Sequence, residues 1–253
     1  MRLPQPGDRR RTLEGWVRSL TVSPSAPDAI SRNRPDWVRG AISMADARFL
    51  HSRVLAASTT TVVEIGTSVG VSAAVICGAL RERAPNYSVV TYDNSTIYAP
   101  DGRRIGEAAE EMLPPDDFAR IRFRNPTTSL DVRTDFAPDS IEFAFVDANH
   151  MHPWPALDLL ALSPCLRPGA EVAFHDINLP LHHPEYDHWG AKHLFDGLET
   201  IKHADPETNP PNIGSIIVPS DRDSFAGQIR VIVHAHRWEH QPSTEHLALA
   251  EPT

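Results

Sequence analysis

Short apolar runs and stretches with helical spacing alternate along the middle of the chain. The apolar runs span three to six residues and are bounded by polar or turn-forming residues, a pattern typical of buried strands. The predicted strands are residues 61–65, 88–92, 121–123, 141–146 and 171–174. Between them, apolar positions three and four residues apart predict helices at residues 71–83, 105–112, 155–166 and 192–201. Strands that alternate with helices are typical of an α/β protein with a mostly parallel sheet.

The segments on either side of this alternation complete the predicted fold. Residues 43–57 predict a helix with Met44, Ala47 and Leu50 on one side, and Ser43 is a suitable N-terminal cap. Residues 214–218 and 228–233 predict two late strands that form a closing antiparallel pair. We therefore expect a Rossmann-like, doubly wound, mostly parallel sheet with a closing antiparallel strand pair and an N-terminal helical extension.

Composition divides the chain into three parts. Residues 1–42 are rich in proline and arginine and contain an amphipathic stretch at residues 13–20. We expect this arm to act as a lid or as an oligomer contact, in a homo-oligomer that is most simply a dimer. Residues 43–236 carry the strand and helix pattern, and residues 237–253 predict a polar, peripheral tail.

Polar side chains stand at the ends of the predicted parallel strands. Glu64, Asp93 and Asp147 each lie at or next to the end of a strand, and His175 and Asp176 directly follow the fifth. Open α/β sheets bind ligands in the crevice beyond the carboxyl ends of their strands. The sequence therefore predicts a polar ligand site along this edge.

Charge and cysteine usage narrow the function classes. The formal net charge of −9 argues against nucleic-acid and membrane partners, because both favour a basic surface. Cys77 and Cys165 lie in apolar contexts, so no disulfide framework is predicted and a reducing compartment fits. No apolar run reaches the roughly 18 residues of a transmembrane helix, and no apolar signal core follows the basic residues 9–11. We expect a cytoplasmic protein.

Histidine is concentrated in the second half of the chain. Twelve of the thirteen histidines lie at or after position 150, and seven lie within residues 150–193. Histidine is a ready metal ligand and a base near neutral pH, so the cluster indicates a metal or acceptor pocket. A polar loop that happens to favour histidine is the alternative.

The turn after the first strand carries two glycines, Gly66 and Gly70, behind the acid Glu64. Its spacing lacks the third glycine of a dinucleotide fingerprint, and the chain has no G-K-[ST] of a P-loop. The pattern E-x-G-x-x-x-G, followed by Asp93 at the end of the second strand, resembles class I S-adenosylmethionine-dependent methyltransferases. The resemblance implies that the turn with Glu64, Gly66 and Gly70 passes the amino-acid part of the cofactor and that Asp93 holds its ribose.

Three small hydroxyl residues beside this turn are further candidates for the cofactor site. Thr67, Ser68 and Ser72 are placed to bind the carboxylate of the cofactor. The alternative is that these small residues are present only because they fit the tight turn. The resemblance implies that residues 43–236 form an S-adenosylmethionine-binding methyltransferase domain.

Three later segments sharpen the resemblance: Phe-Val-Asp-Ala-Asn-His at 145–150, Leu-Arg-Pro-Gly at 166–169 and Val-Ala-Phe-His-Asp at 172–176. Over residues 43–235 the chain resembles metal-dependent small-molecule O-methyltransferases of the catechol, macrolide-sugar and antibiotic types. This resemblance implies a divalent metal held by Asp147, His175 and Asp176. The family pair is Asp-Asn or Glu-Asp, so His175 is either a ligand or a residue that shapes the pocket. Oxygen ligands favour Mg²⁺, whereas a histidine ligand favours Mn²⁺, Fe²⁺ or Zn²⁺.

The resemblance also implies a general base. His150 lies three residues beyond Asp147, where the catechol-type enzymes carry their base, and a neutral hydroxyl needs such help to act as a nucleophile near pH 7. Other interpretations stay open for these residues. Asp147 is able to cap the next helix. His150 is able to hydrogen-bond a backbone carbonyl. His175 and Asp176 are able to form a hydrogen-bonded pair with a purely structural role.

The sequence thus predicts a metal-dependent O-methyltransferase that acts on a hydroxyl of a small metabolite, a sugar or a natural-product intermediate. A metal-independent N- or O-methyltransferase of the same fold is the first alternative. A non-catalytic S-adenosylmethionine-binding protein is the second, and a nicotinamide enzyme is the most distant.

Overall fold

The computed structural model describes residues 26–251, which fold around one seven-stranded sheet. Its strands are β1 (Thr61–Ile65), β2 (Ser88–Tyr92), β5 (Ile121–Arg124), β6 (Ile141–Val146), β7 (Leu166–His175), β8 (Lys202–Ala204) and β9 (Ile213–Ile217). Two short strands, β3 (Ile97–Tyr98) and β4 (Arg103–Arg104), form a separate hairpin. The order across the sheet is β5-β2-β1-β6-β7-β9-β8.

The first five strands in this order are parallel, and the last two close the sheet in antiparallel fashion. Strand β9 pairs with β7 and with β8, antiparallel in both cases. From β1 the chain builds outward through β2 to β5 and then returns to the other side of β1 as β6. This reversal of direction is the topological switch point at which α/β sheets form their ligand crevice. The fold is Rossmann-like, as the sequence predicts.

Helices cover both faces of the sheet. The larger ones are α1 (Ala26–Arg32), α2 (Met44–Ala56), α3 (Val71–Arg83), α7 (Trp154–Leu162), α9 (Gly190–Gly197), α10 (Arg222–Ala235) and α11 (Thr244–Ala250). The shorter ones are α4 (Glu107–Met112), α5 (Pro115–Phe118), α6 (Val132–Asp135), α8 (Leu179–His182) and a 3₁₀ turn at Ser129–Asp131. Side chains of a strand alternate between faces, so the neighbours Val62 and Val63 belong to two different hydrophobic cores. Helices α2 and α3 cover the first core, and α7 and α10 cover the second.

The predicted helix before the sheet is confirmed, together with its cap. The Ser43 side chain accepts a hydrogen bond from the Asp46 amide, and the Asp46 carboxylate accepts one from the Ser43 amide. This reciprocal pair satisfies two N–H groups that a helix start otherwise leaves free. The helix predicted at residues 71–83 coincides with α3.

The strand predicted at residues 228–233 is wrong, because these residues lie inside α10. The Asp221 side chain caps this helix, and Phe225, Ile229 and Val233 repeat every four residues on its buried face. The β-branched residues around Val231 are typical of a strand, but the four-residue spacing of the buried side chains is that of a helix. The closing antiparallel pair exists, and its members are β8 and β9.

Three predicted helices have different ends in the structure. The helix predicted at residues 105–112 begins at Glu107, because Gly106 adopts a left-handed conformation with φ of +79°. The helix predicted at residues 155–166 ends at Leu162, and β7 already begins at Leu166. The helix predicted at residues 192–201 spans Gly190–Gly197.

The expectation of a peripheral tail is wrong for the residues that form α11. Helix α11 packs against α7, and both His246 and Ala250 are buried. The amphipathic stretch at residues 13–20, with most of the predicted arm, lies outside the described residues. Among residues 26–251, no helix combines the length and apolar character that crossing a bilayer requires.

Candidate active site

Two cavities open at the carboxyl edge of the sheet. The first, which we call the donor cavity, has a volume of about 430 Å³ and lies beyond the ends of β1, β2, β5 and β6. The second, the acceptor cavity, has a volume of about 560 Å³ and lies beyond β7. Both sizes lie within the range of small-molecule sites. The polar strand-end residues therefore face two adjoining sites.

The two glycines of the β1–α3 turn serve close packing. Gly66 has φ of +98°, and a Cβ atom there would lie 2.2 Å from the carbonyl oxygen of Asp147. Gly70 has φ of +90°, and its Cβ would lie 2.9 Å from the Cβ of Ala109. L-residues avoid this backbone region, so both positions require glycine before any ligand is considered. Gly66 also lines the donor cavity.

Glu64 lies fully buried behind the wall of the donor cavity. Its Oε2 accepts a hydrogen bond from the Thr91 hydroxyl at 2.6 Å, and the Thr91 and Thr67 hydroxyl oxygens lie 2.6 Å apart. Burial raises the pKa of Glu64 to about 8, against the opposing effect of the Ser72 and Thr91 hydroxyls. Glu64 is therefore a neutral, hydrogen-bonded acid at pH 7. Glu64, Thr67, Gly70 and Ser72 line neither cavity and support the turn from behind.

Asp93 lines the donor cavity directly. Its Oδ2 accepts a hydrogen bond from the Ser68 amide at 2.9 Å, and its Oδ1 accepts one from the Ser95 amide at 2.9 Å. A carboxylate has about four acceptor positions, so Asp93 keeps two for a ligand. Of the seven residues predicted to bind the cofactor, Gly66, Ser68 and Asp93 line this cavity.

The inner end of the donor cavity contains a second buried acid. Asp158 on α7 accepts a hydrogen bond from the Ser129 hydroxyl at 2.6 Å. Burial raises the pKa of Asp158 to about 6. Trp154, one helical turn before Asp158, also lines this end.

Five ionisable side chains meet where the two cavities adjoin, and we call them the charge cluster: Asp46, Asp147, His150, His175 and Asp176. The His150 ring lies between two carboxylates, with Nε2 3.1 Å from Asp147 Oδ1 and Nδ1 3.1 Å from Asp176 Oδ2. The His175 ring has Nδ1 3.2 Å from Asp147 Oδ1 and Nε2 3.3 Å from Asp46 Oδ2. Asp147 lines the donor cavity, whereas the other four line the acceptor cavity. The cluster therefore joins the two sites.

Pairing of opposite charges dominates the ionisation of this cluster. Burial alone would raise the pKa of Asp147, but the charge of His175 and the hydrogen bond to His150 outweigh it and lower that pKa. Burial alone would lower the pKa values of His150 and His175, but their carboxylate partners raise both. The pKa of Asp46 is lowered in the same way by His175. The cluster therefore holds ionised carboxylates against protonated imidazoles.

These contacts bear on the structural alternatives that the sequence leaves open for Asp147, His150 and His175. Helix α7 begins at Trp154 with Pro153 at its cap position, so Asp147 does not cap it. Both ring nitrogens of His150 face carboxylates, and neither is committed to a backbone carbonyl. His175 contacts Asp176 at 3.4 Å, but its shorter contacts join it to other elements of the cluster.

The donor set of the charge cluster fits a divalent cation. Asp147, His175 and Asp176 each offer one ligand atom, and these atoms lie within 4.8 Å of one another. Asn212 lies beside them, where its Nδ2 donates to Asp176 Oδ1 at 2.7 Å and its buried oxygen has no hydrogen-bond partner within residues 26–251. Two carboxylates with an amide oxygen nearby suit Mg²⁺ or Mn²⁺.

Comparison with known proteins connects this geometry to one family. Residues 63–177, from β1 to just beyond β7, match the model of a family described as a methyltransferase domain. The matched span includes Asp93, Asp147, His150, His175 and Asp176. Residues 63–177 are therefore similar to a methyltransferase domain. No curated protein sequence matches the chain.

Several solved structures share the fold of this chain. The O-methyltransferase TomG from Streptomyces achromogenes, in complex with SAM, is 19% identical, with a TM-score of 0.51 over 76% of this chain and 90% of TomG. An O-methyltransferase from Bacillus cereus, in complex with SAH, is 16% identical, with a TM-score of 0.52 over 78% of this chain and 93% of that enzyme. A methyltransferase from Geobacter sulfurreducens is 17% identical, with a TM-score of 0.51 over 82% of this chain and 93% of that protein. At these identities the likeness concerns the fold.

The acceptor cavity draws its walls from distant segments. Gly40 and Ala41 contribute from the predicted arm, and Asn212 contributes from the loop before β9. The loop after β7 supplies Leu179, His182, His183, Tyr186 and His188. Several histidines of the second half of the chain thus converge here, as a pocket interpretation of their clustering predicts. Trp154 instead lines the donor cavity, and Trp189 lines neither.

Sequence reasoning missed several residues of the candidate site. Asp46 reads as a capping residue of α2, and nothing in the sequence relates it to His175, 129 positions away. Asn212 likewise has no local signal. For the tail a signal exists, because Ser243 before a run with apolar spacing predicts the start of α11. Recognising that helix would have drawn attention to Ser243 and His246, which line the donor cavity.

Proposed function

We propose that the protein transfers a methyl group from S-adenosylmethionine to a hydroxyl oxygen of a small hydroxylated metabolite, with the help of a divalent cation. The observation that carries this proposal is the position of His150. Its ring lies between Asp147 and Asp176, where the donor cavity adjoins the acceptor cavity. A base at this junction stands between a methyl donor in one cavity and a hydroxyl in the other.

The arrangement of strands supports one orientation of the cofactor. Its reactive sulfonium must face the acceptor cavity, which lies beyond β7, so the nucleoside must extend toward β2 and β5. Asp93 stands at the end of β2 with two free acceptor positions, which suits the two ribose hydroxyls. TomG and the Bacillus cereus enzyme, which share the fold, were solved with SAM and SAH respectively.

The reaction assigned to this site is an in-line displacement. The acceptor oxygen attacks the methyl carbon, the carbon–sulfur bond breaks, and its electron pair stays on sulfur as a neutral thioether. His150 in its neutral form takes the hydroxyl proton on a ring nitrogen, while Asp147 and Asp176 orient the ring and stabilise the resulting imidazolium. Holding both reactants in adjoining cavities supplies the effective concentration.

The proposed cation would be held by Asp147 and Asp176, with His175 or Asn212 completing the set. When bound, such a cation lowers the pKa of a hydroxyl that it contacts and orients that group. The two carboxylates favour Mg²⁺, and participation of His175 would favour Mn²⁺ or Fe²⁺.

The acceptor cavity supports a polyhydroxylated or otherwise polar acceptor. Among the described residues that line it, most carry imidazole, carboxylate, hydroxyl or amide groups, and Leu179 is the one large aliphatic residue. A sugar or an oxygen-rich natural-product intermediate presents complementary donors and acceptors. TomG is described as taking part in tomaymycin synthesis, which is consistent with this class. Gly40 and Ala41 in the wall support the proposal that the N-terminal arm borders the acceptor.

One observation favours a second function, metal-independent methyl transfer. Both nitrogens of His175 already face carboxylates, so a protonated His175 supplies positive charge where a cation would otherwise bind. In that case His150 acts as the base without a metal.

The test is a methyl-transfer assay on protein dialysed against EDTA, with labelled S-adenosylmethionine and a panel of hydroxylated acceptors. We expect activity to disappear and to return with Mg²⁺ or Mn²⁺. Full turnover in EDTA would contradict metal dependence and favour the second function. Tight cofactor binding with no turnover on any acceptor would favour a binding protein.

A further inference from the structure

The segment that follows α10 reaches back over the donor cavity. Residues 238–250, which we call the C-terminal segment, include α11 and contribute His240, Ser243 and His246 to the cavity lining. The matched methyltransferase family model ends at residue 177, so this wall lies outside it.

Strong contacts fix the start of the C-terminal segment to the core. The Glu239 amide donates to the His152 carbonyl at 2.8 Å, and the Glu239 carboxylate accepts from the His152 amide at 2.8 Å. The same carboxylate accepts from the Trp189 amide at 3.1 Å. Hydrogen bonds from buried backbone groups to a charged acceptor are among the stronger ones in proteins. The start of the segment is therefore fixed to the backbone at His152 and Trp189.

The end of the segment is held equally well. The Arg230 side chain donates to the Leu249 carbonyl at 3.2 Å, and Ala250 is buried in the core beneath α7 and α10. The Ser243 side chain accepts a hydrogen bond from the His246 amide and so caps α11.

Between these anchors the segment meets Trp154. The Trp154 Nε1 donates to His240 Nδ1 at 2.8 Å, and the Trp154 and His246 rings meet edge to face with centroids 4.9 Å apart. Ser243 Oγ lies 2.9 Å from His246 Nδ1. Together they give one wall of the cavity flat ring surfaces with a hydroxyl and imidazole groups, and Asp93 lines the same cavity.

We infer that the C-terminal segment is a cofactor-binding element whose residues Ser243 and His246, with Trp154, enclose the nucleoside end of the S-adenosylmethionine site. The inference rests on the proposed function, which orients the nucleoside away from the charge cluster. A purine presents a planar face and polar edges, which this wall of rings and hydroxyl groups complements.

The test measures S-adenosylhomocysteine affinity by calorimetry on the full chain and on two variants. Ser243→Trp should raise the Kd at least about tenfold, because the new ring enters the cavity. Thr244→Trp, which adds the same bulk at the next, exposed position, should change the Kd by less than about threefold. Equal Kd values for Ser243→Trp and Thr244→Trp would overturn the inference.

Thermal unfolding of each variant separates loss of binding from loss of folding. If Ser243→Trp does not fold, the affinity of His240→Ala tests the inference instead. His240 is exposed, so removing its side chain leaves the core intact. We expect His240→Ala to weaken binding by about threefold or more while His234→Ala leaves it unchanged. Unchanged binding in His240→Ala would then overturn the inference. A wild-type chain that binds no S-adenosylhomocysteine would overturn the proposed function as well, whereas normal wild-type binding with insensitive variants overturns this inference alone.

Discussion

The buried acids beside the donor cavity and those of the charge cluster differ in their ionisation. Beside the donor cavity, the partners of Glu64 and Asp158 are the hydroxyls of Thr91 and Ser129. Burial raises the pKa values of these two acids, to about 8 and about 6. In the charge cluster, imidazoles lower the pKa values of Asp46 and Asp147 against the same effect of burial.

The difference shows that the hydrogen-bonding partner, more than burial, determines whether a buried acid is ionised. A hydroxyl offers one neutral hydrogen bond, which does not offset the cost of burying a charge. An imidazole takes up the proton and becomes the counter-ion. The charge cluster is therefore suited to proton transfer and cation binding, whereas Glu64 supports the donor cavity from behind as a neutral group.

The largest effect is expected where the ionised region loses a charge. Asp147→Asn removes a candidate metal ligand and the partner of His150, so kcat should fall at least about 10⁴-fold, since base positioning alone contributes about 10²–10⁴-fold. Affinity for S-adenosylhomocysteine should change by less than about threefold. Glu142→Gln, an acid on β6 outside both cavities, is the control. Near-normal turnover of Asp147→Asn at low Mg²⁺ would remove Asp147 from the mechanism.

The base assignment predicts a smaller loss with a defined pH dependence. His150→Ala should lower kcat by about 10²–10⁴-fold, the usual contribution of a positioned base. Asp147 holds the pKa of His150 above its ordinary value of 6.5, and the reaction needs the neutral ring. The kcat/KM profile should therefore fall on the acidic side through a pKa above 6.5. His234→Ala should leave the profile unchanged, and a less than tenfold loss in His150→Ala would argue that the base lies elsewhere.

The raised pKa of His150 also links pH to stability. A group whose pKa is higher in the folded state stabilises the fold below its unfolded value, and this contribution is lost as pH rises through the folded value. For metal-free protein, Tm should therefore fall as pH increases above 6.5, and the fall should be weaker in His150→Ala. Scanning calorimetry in EDTA measures both, and an equal fall in the two proteins would contradict the pairing.

A moderate effect on binding alone is expected in the donor cavity. Asp93→Ala removes the acceptor of the proposed ribose hydrogen bonds, which are worth roughly 1.5–3 kcal/mol with a charged partner. S-Adenosylhomocysteine should bind about ten to a hundredfold more weakly by calorimetry. Asp101→Ala, an exposed acid on the nearby hairpin loop, serves as the control. Unchanged affinity in Asp93→Ala would refute the ribose assignment.

The smallest effect sharpens the comparison between the two regions. Because Glu64 is neutral at pH 7, Glu64→Gln replaces one uncharged hydrogen-bonding group by another of similar shape. It should lower stability by about 1 kcal/mol or less and change turnover by less than about threefold. Thermal unfolding and the methyl-transfer assay provide the measurements. A loss like that of Asp147→Asn would mean that Glu64 is ionised and that the two regions do not differ as described.

Local pattern was sufficient to predict most of the parallel strands and the residues that follow them. Strands such as Ile141–Val146 are short apolar runs, and the polar residues after them, including Asp147 and Asp176, lie on one edge because parallel strands end together. The fold class and the meeting of Asp147, His150, His175 and Asp176 follow from that regularity. The helical conformation of residues 228–233 in α10 could not be predicted in this way, because a β-branched run suits both a strand and a buried helix face.

Only the tertiary structure decided which distant residues complete the site. Asp46 reaches His175 from a helix before the sheet, Asn212 reaches Asp176 from the loop before β9, and His246 reaches Trp154 from the C-terminal segment. It also decided the protonation of the buried acids, since Glu64 and Asp147 look alike in sequence and differ only in whether a hydroxyl or an imidazole lies against them. Local periodicity reports which face of an element is buried, but the packing of elements far apart in the chain determines which groups share that buried space and hence their charge.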